Sequence, residues 1–335
     1  MTMKALLSET PGPTDTLKLV ETAKPEPGEN EVRIRIAACA INYPDALVIE
    51  DKYQFRPERP FAPGAEFSGH VDAIGPGVEG IALGDRVIGA GQMGGLAEFA
   101  LVDSDHCYPV PDEVNLDTAA ALIFTYGTTQ YALQNRGALK AGETLLVLGA
   151  AGGIGLSGVE LGKLMGAKVI AAVSSEEKAA LAREHGADET IIYPRGPLSK
   201  DEQRAFTKAI REAAGGDIDV VYDPVGGSYA EPSLRAMAWE GRYLIIGFPA
   251  GIPSIPLNLP LLKGCQLIGV FWGAFVARNP AENHQNIAQL LDLCAKGKLN
   301  PKISEIFPLE RGGEAIARLA SREALGKVLV RISED

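Results

Sequence analysis

Gly149-Ala150-Ala151-Gly152-Gly153-Ile154-Gly155 follows an unbroken apolar run, Leu145-Leu146-Val147-Leu148. Apolar residues then return at Leu156, Val159, Leu161 and Leu164, near helical spacing. The spacing predicts strand, glycine turn and helix, the setting in which small residues hold a pyrophosphate. Gly152 lets the backbone approach phosphate oxygens, and Gly155 lets the helix lie against the strand. The amides of the turn and first helical residues, Ala151, Gly153 and Ile154 among them, face the anion with the positive end of the helix dipole. Ala150 stands where the usual pattern has its first glycine. A tight strand-to-helix turn of any α/β protein is the plainer reading of the same residues.

In NAD proteins an acidic side chain about twenty residues further on, at the end of the second strand, takes the adenosine ribose. Here that strand ends in Val173-Ser174-Ser175, with Lys178 one helical turn on and Tyr193-Pro194-Arg195 closing the third strand. Hydroxyls and cations around a corner without a carboxylate suit a phosphate dianion, which points to NADPH. Ser174 with Glu177 also fits a capping box, Lys178 an ordinary helix lysine, and Tyr193 a cover for the sheet edge. Glu176 or Glu177 reaching the ribose would restore NAD.

The elements that position these residues alternate. Strands over 168–173, 189–193, 218–223, 242–247 and 266–271 are separated by helical patterns over 177–185, 200–214 and 229–238. With the fingerprint strand this makes about six strands with helical crossovers, a complete doubly wound parallel sheet. The first third differs. Val32-Arg33-Ile34-Arg35-Ile36 alternates as a half-buried strand does, and 66–75, 85–89 and 96–102 are further strands between Gly/Pro punctuation. Many short strands before any long helix predict a barrel-like domain. Helices are expected over 117–122 and 127–134. A tail with a helix over 282–296, a strand over 303–307, a helix over 313–321 and a strand over 327–332 is too small to stand alone. It folds back on the N-terminal part, so the nucleotide domain is an insertion: 123–274 within 1–122 and 275–335.

The chain has 335 residues, ample for two cores, and a net charge of −11 with scattered acids, which disfavours nucleic acid and anionic membranes. No apolar segment is long enough to span a bilayer, and Met1-Thr2-Met3-Lys4-Ala5 lacks a signal-peptide pattern, so a cytoplasmic protein is expected. Cys39, Cys107, Cys265 and Cys294 form no CxxC pair, and the four histidines no HxxxH, so neither disulfides nor a structural zinc is expected.

Taken in order, Ala40-Ile41-Asn42-Tyr43-Pro44-Asp45, Pro63-Gly64-Ala65-Glu66-Phe67-Ser68-Gly69 and Gly84-Asp85-Arg86-Val87 resemble one family. So do Gly94-Gly95-Leu96-Ala97-Glu98-Phe99, Tyr126-Gly127-Thr128-Thr129, Asp223-Pro224-Val225-Gly226-Gly227 and Gly326-Lys327-Val328-Leu329-Val330. Over nearly its whole length the chain is similar to the zinc-free quinone oxidoreductase (zeta-crystallin-like) branch of the medium-chain dehydrogenases/reductases. The resemblance implies an α/β fold, a Rossmann sheet inserted in a β-rich GroES-like barrel domain, and a homodimer joined through the sixth strands.

Zinc enzymes of that superfamily carry a cysteine where Asn42 stands and a histidine where Ala65 stands, and the four-cysteine lobe is absent between Val87 and Glu98. Without a Lewis acid, reduction of a quinone or an enone is easier than oxidation of an alcohol. The resemblance makes Asn42 a donor to the carbonyl oxygen, or else a loop-ordering residue. It makes Tyr53 a proton donor, or else part of the cleft wall. Leu47 replaces a tyrosine frequent in the family. Thr129, Val225, Gly247-Phe248 and Phe271-Trp272 are expected at the nicotinamide half of the cofactor, with sheet-end core or dimer contact as the equal alternative for Phe271 and Trp272. Lys327 matches a position near the cofactor, although a solvated strand lysine is the simpler reading. An NADPH-dependent reductase of quinones or α,β-unsaturated carbonyls results. An enoyl-thioester reductase, with Lys52, Arg56 and Arg59 as a basic rim, and a low-turnover NADPH-binding protein are the alternatives.

Overall fold

Backbone pairing in the computed structural model, which describes residues 1–321 and 323–334, sorts the chain into two units. Met1–Phe124 with Pro280–Asp335 forms one, and Thr125–Asn279 the other. The expected breaks at 122 and 274 fall short of these points. Beyond 274 the chain is still tied to the second unit, where Phe275 stacks on Tyr131 with ring centroids 4.1 Å apart.

The first unit opens with β1 (Thr2–Leu7) paired antiparallel to β2 (Lys18–Ala23), followed by β3 (Glu31–Ile41) and a short helix α1 (Tyr43–Val48). Strands β4 (Glu66–Ile74), β5 (Arg86–Ala90), β6 (Phe99–Asp103) and β7 (Cys107–Pro109) and helix α2 (Leu116–Ala120) follow. The alternation at Val32–Ile36 predicts one wet face, yet nearly all of β3 is buried. It pairs with β4 along one side and with β6 along the other, and Arg33 is satisfied inside by Asp72 at 2.7 Å and Glu26 at 2.9 Å. Period-two patterning reads a central strand poorly when its charges find partners.

A π-turn at Ile123–Gly127 spans the boundary at 124/125, and the short α3 (Thr128–Gln130) and a second π-turn at Tyr131–Arg136 follow, where the pattern predicts a regular helix over 127–134. A six-stranded parallel sheet then forms from β8 (Thr144–Leu148), β9 (Lys168–Val173), β10 (Glu189–Ile192), β11 (Ile218–Asp223), β12 (Met237–Ile245) and β13 (Gln266–Gly269). Its order is β10-β9-β8-β11-β12-β13, doubly wound as the alternation predicts. Helices α4 (Gly153–Leu164), α5 (Glu176–Glu184), α6 (Lys200–Ala214), α7 (Ala230–Arg235), α8 (Asn258–Lys263) and α9 (Trp272–Arg278) connect and follow the strands. The pattern over 229–238 predicts helix, but α7 stops at Arg235 and β12 begins two residues later, bending at Glu240 with φ 58°. Glu160 of α4 ties two neighbours: it accepts from the Tyr126 hydroxyl at 2.5 Å and pairs with His185 Nδ1 at 2.6 Å.

The chain returns to the first unit through α10 (Pro280–Ala295), β14 (Ile303–Pro308), α11 (Gly312–Ala320) and β15 (Lys327–Arg331). These strands complete a seven-stranded sheet ordered β14-β15-β3-β4-β5-β7, with β6 also on β3. The register sets Val328 against Ile41 and Ala40 against Glu66, so the end of β3 meets the starts of β15 and β4. Among the described residues no helix is long and apolar enough to cross a membrane.

Candidate functional site

At the carboxyl end of β8 the turn is made by Gly149, whose φ of +62° lies in the left-handed region. It supplies what the missing first glycine supplies elsewhere, one residue earlier, so the Ala150 departure costs the turn nothing. Gly152 is the N-cap of α4, extended at φ −81° and ψ 166°, and a Cβ there would meet open space beyond 3.8 Å. Gly155 is the opposite case: a Cβ would sit 2.1 Å from the Gly149 carbonyl oxygen. One glycine therefore leaves room outside the helix start, and the other permits the helix to close on the strand. Ala151 is buried, while Gly153 and Ile154 are partly exposed at the first turn.

The next strand ends beside it. Ser175, not Ser174, caps α5, its hydroxyl accepting from the Lys178 amide at 3.3 Å. That corrects the capping reading of Ser174, whose hydroxyl instead accepts from Arg195 Nε at 3.4 Å. Lys178 stands on the first turn of α5, partly buried. Tyr193 follows β10 with its ring packed on Tyr229 and Phe206. Burial pushes the Tyr193 phenol far up, so it stays protonated. The ring, 8% exposed, lies just beyond the end of β10, an edge strand of the sheet.

Two further strand ends complete this face of the sheet. Asp223 Oδ1 accepts from the amides of Val225 and Gly226, both at 2.8 Å, and Oδ2 from the Tyr243 hydroxyl at 2.6 Å. The carboxyl is raised by burial even so. The amide of Gly247 points to the Asp223 carbonyl at 3.4 Å, and Phe248 is 41% exposed beyond it. Sequence reasoning gives Asp223 no role, although an acid closing an apolar strand before Pro-Val-Gly-Gly is a loop-ordering signal. Phe271 and Trp272 do not end a strand: β13 stops at Gly269, Phe271 is exposed, and Trp272 opens α9. Thr129 is fully buried, and its hydroxyl is shared among the Thr125 carbonyl, Ser157 and the Tyr222 hydroxyl, at 2.6 to 2.8 Å. It braces α4 from within.

The first unit carries a polar cluster where β3 ends and β15 and β4 begin. Asn42 is the N-cap of α1, and its amide donates to Asp45 Oδ2 at 2.7 Å. Asp45 Oδ1 accepts from the Gly64 amide at 3.2 Å. Burial pushes the Asp45 carboxyl up to about 6, against the pull of those amides and of Lys327. Lys327 Nζ lies 2.7 Å from Asn42 Oδ1 and 3.0 Å from Glu66 Oε2, and it is 2% exposed. The solvated strand lysine of the sequence reading is thus corrected to a buried ion pair. Tyr53 packs half-buried on the same unit's core, its phenol raised by burial and then by Asp45. Arg59 is committed to Asp51 at 2.9 Å and to the Ile49 carbonyl at 3.0 Å, which removes it from the basic rim.

The donor set around Asn42 does not fit zinc. Among the described residues no three His, Cys, Asp or Glu side chains gather for a metal. Asn42 and Glu66 already face an ammonium, and a dication beside it would meet like charge.

Residues 28–112 match the alcohol dehydrogenase GroES-like domain and residues 153–296 the zinc-binding dehydrogenase family. The chain is 38% identical to quinone oxidoreductase-like protein 2 of Bos taurus, over 94% of this chain and 89% of that one. It is 32% identical to the quinone oxidoreductase of Pseudomonas aeruginosa, over 95% and 96%. The structure of Escherichia coli quinone oxidoreductase complexed with NADPH superimposes with a TM-score of 0.88 at 27% identity, covering 98% of this chain and 100% of that one. A doubly wound sheet inserted in a GroES-like unit, matched end to end by these proteins, places the chain in the quinone oxidoreductase family of the medium-chain dehydrogenases/reductases.

Proposed function

We propose that this chain is an NADPH-dependent oxidoreductase that reduces a quinone or an α,β-unsaturated carbonyl without zinc. The observation that carries the reading is the corner after β9. It holds the Ser174 hydroxyl, Arg195, the first turn of α5 with Lys178, and no carboxylate at the strand end. A 2′-phosphate finds hydroxyl and cationic donors there, where a ribose-binding acid would repel it. Tyr193 adds a protonated phenol. The NADPH bound to the related Escherichia coli enzyme supports the same cofactor.

When bound, NADPH supplies the hydride. Gly152, Gly153, Ile154 and Gly155 offer the start of α4 to its pyrophosphate, with Ala151 beneath them. Val225, Gly247 and Phe248 end neighbouring strands and flank its nicotinamide half, with Phe271 and Trp272 further along the sheet. Thr129 acts indirectly, by holding α4 through Ser157.

Asn42 donates an N–H to the acceptor's carbonyl oxygen, where negative charge gathers as hydride reaches the β-carbon. Tyr53, kept protonated by its raised pKa, delivers a proton to the α-carbon. The product is the saturated carbonyl, or the hydroquinone when a quinone is the acceptor. A homodimer through β13, one of the two edge strands of the parallel sheet, completes the proposal.

NADPH oxidation by chelator-treated protein is screened against quinones, short enones and enoyl-CoA thioesters. Turnover is expected with the first two. Lys178→Ala is expected to raise the KM for NADPH about tenfold, the worth of one charge-assisted hydrogen bond, and to leave that for NADH nearly unchanged. Turnover confined to thioesters, equal effects on both cofactors, or activity that needs added zinc would overturn the reading.

A further inference from the structure

The side chain of Asn42 is held from both of its ends. Lys327 Nζ donates to Oδ1 at 2.7 Å, while Nδ2 donates to Glu66 Oε2 at 2.9 Å. Glu66 is itself fixed, because Oε1 accepts from the Phe124 amide at 2.8 Å and Oε2 also accepts from Lys327. Asn42, Glu66 and Lys327 are 5%, 1% and 2% exposed, so water does not substitute for these partners.

An ammonium only donates and a carboxylate only accepts. A flipped Asn42 amide would set its N–H groups against Lys327 and its oxygen against Glu66, two buried mismatches at once. One orientation survives. In it the oxygen already accepts from Lys327, and the second Nδ2 hydrogen reaches the Ala40 carbonyl at 3.4 Å, a long contact for such a bond. That hydrogen is the one Asn42 retains for a ligand oxygen.

We propose that Lys327 and Glu66 are positioning residues that lock the Asn42 amide so that it presents an N–H, never its own oxygen, to the acceptor. The inference rests on the reading that Asn42 meets the acceptor's carbonyl oxygen. It adds why the site takes carbonyl acceptors: their oxygen accepts a hydrogen bond from ground state to transition state, and a locked donor needs no reorientation as charge builds.

Full-length variants are assayed with NADPH and a quinone for kcat and quinone KM, and for NADPH affinity by its fluorescence. Lys327→Met is expected to lower kcat about tenfold or more, somewhat less than the 10²–10³ loss from deleting an oxyanion donor outright. NADPH affinity should stay within about twofold, since the Lys327 ammonium is already engaged by Asn42 and Glu66. Lys327→Arg, still a donor, should recover most of kcat.

Should Lys327→Met leave Glu66 unpaired and the protein unfolded, Glu66→Gln/Lys327→Met keeps the shape and removes both charges. The carboxamide introduced by Glu66→Gln would keep its oxygen on the Phe124 amide and turn its NH2 toward Asn42, flipping the Asn42 amide, so the same loss of kcat is expected. Wild-type kcat in the double variant, or no recovery in Lys327→Arg, overturns the positioning role while a defective Asn42→Ala leaves the underlying reading standing. Wild-type turnover in Asn42→Ala overturns both.

Discussion

Asp45 is a buried carboxyl whose oxygens meet two backbone amides, Asn42 and Gly64, and, among the described residues, no directly bonded cation. Its folded pKa of about 6 lies above the 3.8 of the free side chain, so folding takes up a proton between those values. The sign follows from that uptake: Asp45 contributes stability that is fully present below about pH 4 and lost as pH rises through about 6. The size is on the order of 3 kcal/mol for a shift of about two units. Asp45→Asn removes this titration. The difference in unfolding free energy between wild type and variant, followed by denaturant melts from pH 4 to 7, is expected to change in that window and to level off outside it. Asp223, also raised by burial, titrates in both proteins and cancels in the difference. A difference flat with pH would mean that the Asp45 carboxyl is not desolvated. Nothing local in the sequence announces this behaviour. Asp45 in Asn42-Tyr43-Pro44-Asp45 looks like any loop acid, and its burial comes from Gly64 in a distant segment. Glu66 and Lys327 are equally illegible as a pair, because 261 residues separate them and the register of three strands brings them together.

Elements are legible where one physical signal dominates. β9 at Lys168–Val173, α6 at Lys200–Ala214 and β11 at Ile218–Asp223 begin and end where expected, since apolar runs or amphipathic turns there are bounded by caps and glycines. α1 and α8 escape, though each carries a signal: Asn42 with Pro44 at the start of one, and Gly264 in the left-handed region at the end of the other. The π-turns around α3 have no such marker in composition. The fingerprint is legible as a motif, but the division of labour among its glycines is not. Gly155→Ala drives a methyl group to 2.1 Å from the Gly149 carbonyl oxygen and 2.7 Å from the Ala150 Cα, both backbone atoms that cannot swing away. α4 must then lift from β8. Overpacking of this kind costs roughly 1–3 kcal/mol, and the displaced helix start should cost NADPH affinity about tenfold or more. Gly152→Ala, with open space at its Cβ, is expected to keep the fold and to weaken only cofactor binding. Calorimetric melting with NADPH titration separates the two. Equal loss of stability in both variants would show that the turn, not the close approach, sets the requirement for glycine.

At the scale of the whole molecule, the parallel sheet of the second unit has two edge strands among the described residues, β10 and β13. β13 pairs with β12 on one side, and among the described residues no strand covers the other. Edge strands are usually blunted by charge or proline, but Gln266-Leu267-Ile268-Gly269 has neither. Large apolar side chains lie exposed in nearby sequence: Leu257, Leu261 and Leu262 around α8 are 70 to 77% exposed, and Phe271 after the strand is 62% exposed. Two copies related by a twofold axis satisfy both features at once, since β13 against its equivalent continues the sheet antiparallel and the interface is self-complementary. Leu267 packs toward the unit's own core, which turns Ile268 to the opposite face of the strand. Ile268→Glu then sets like charges close together across the axis, adding to the repulsion between two chains of net charge −11. Light scattering is expected to give a dimer for the wild type and a monomer for Ile268→Glu at micromolar concentration, with the melting of the isolated chain little changed. Because net repulsion opposes the association, raising salt from about 20 to 150 mM should tighten the wild-type dimer, as the Debye length shortens to about 8 Å. A dimer that survives the glutamate, or one that salt loosens, would move the interface away from this edge.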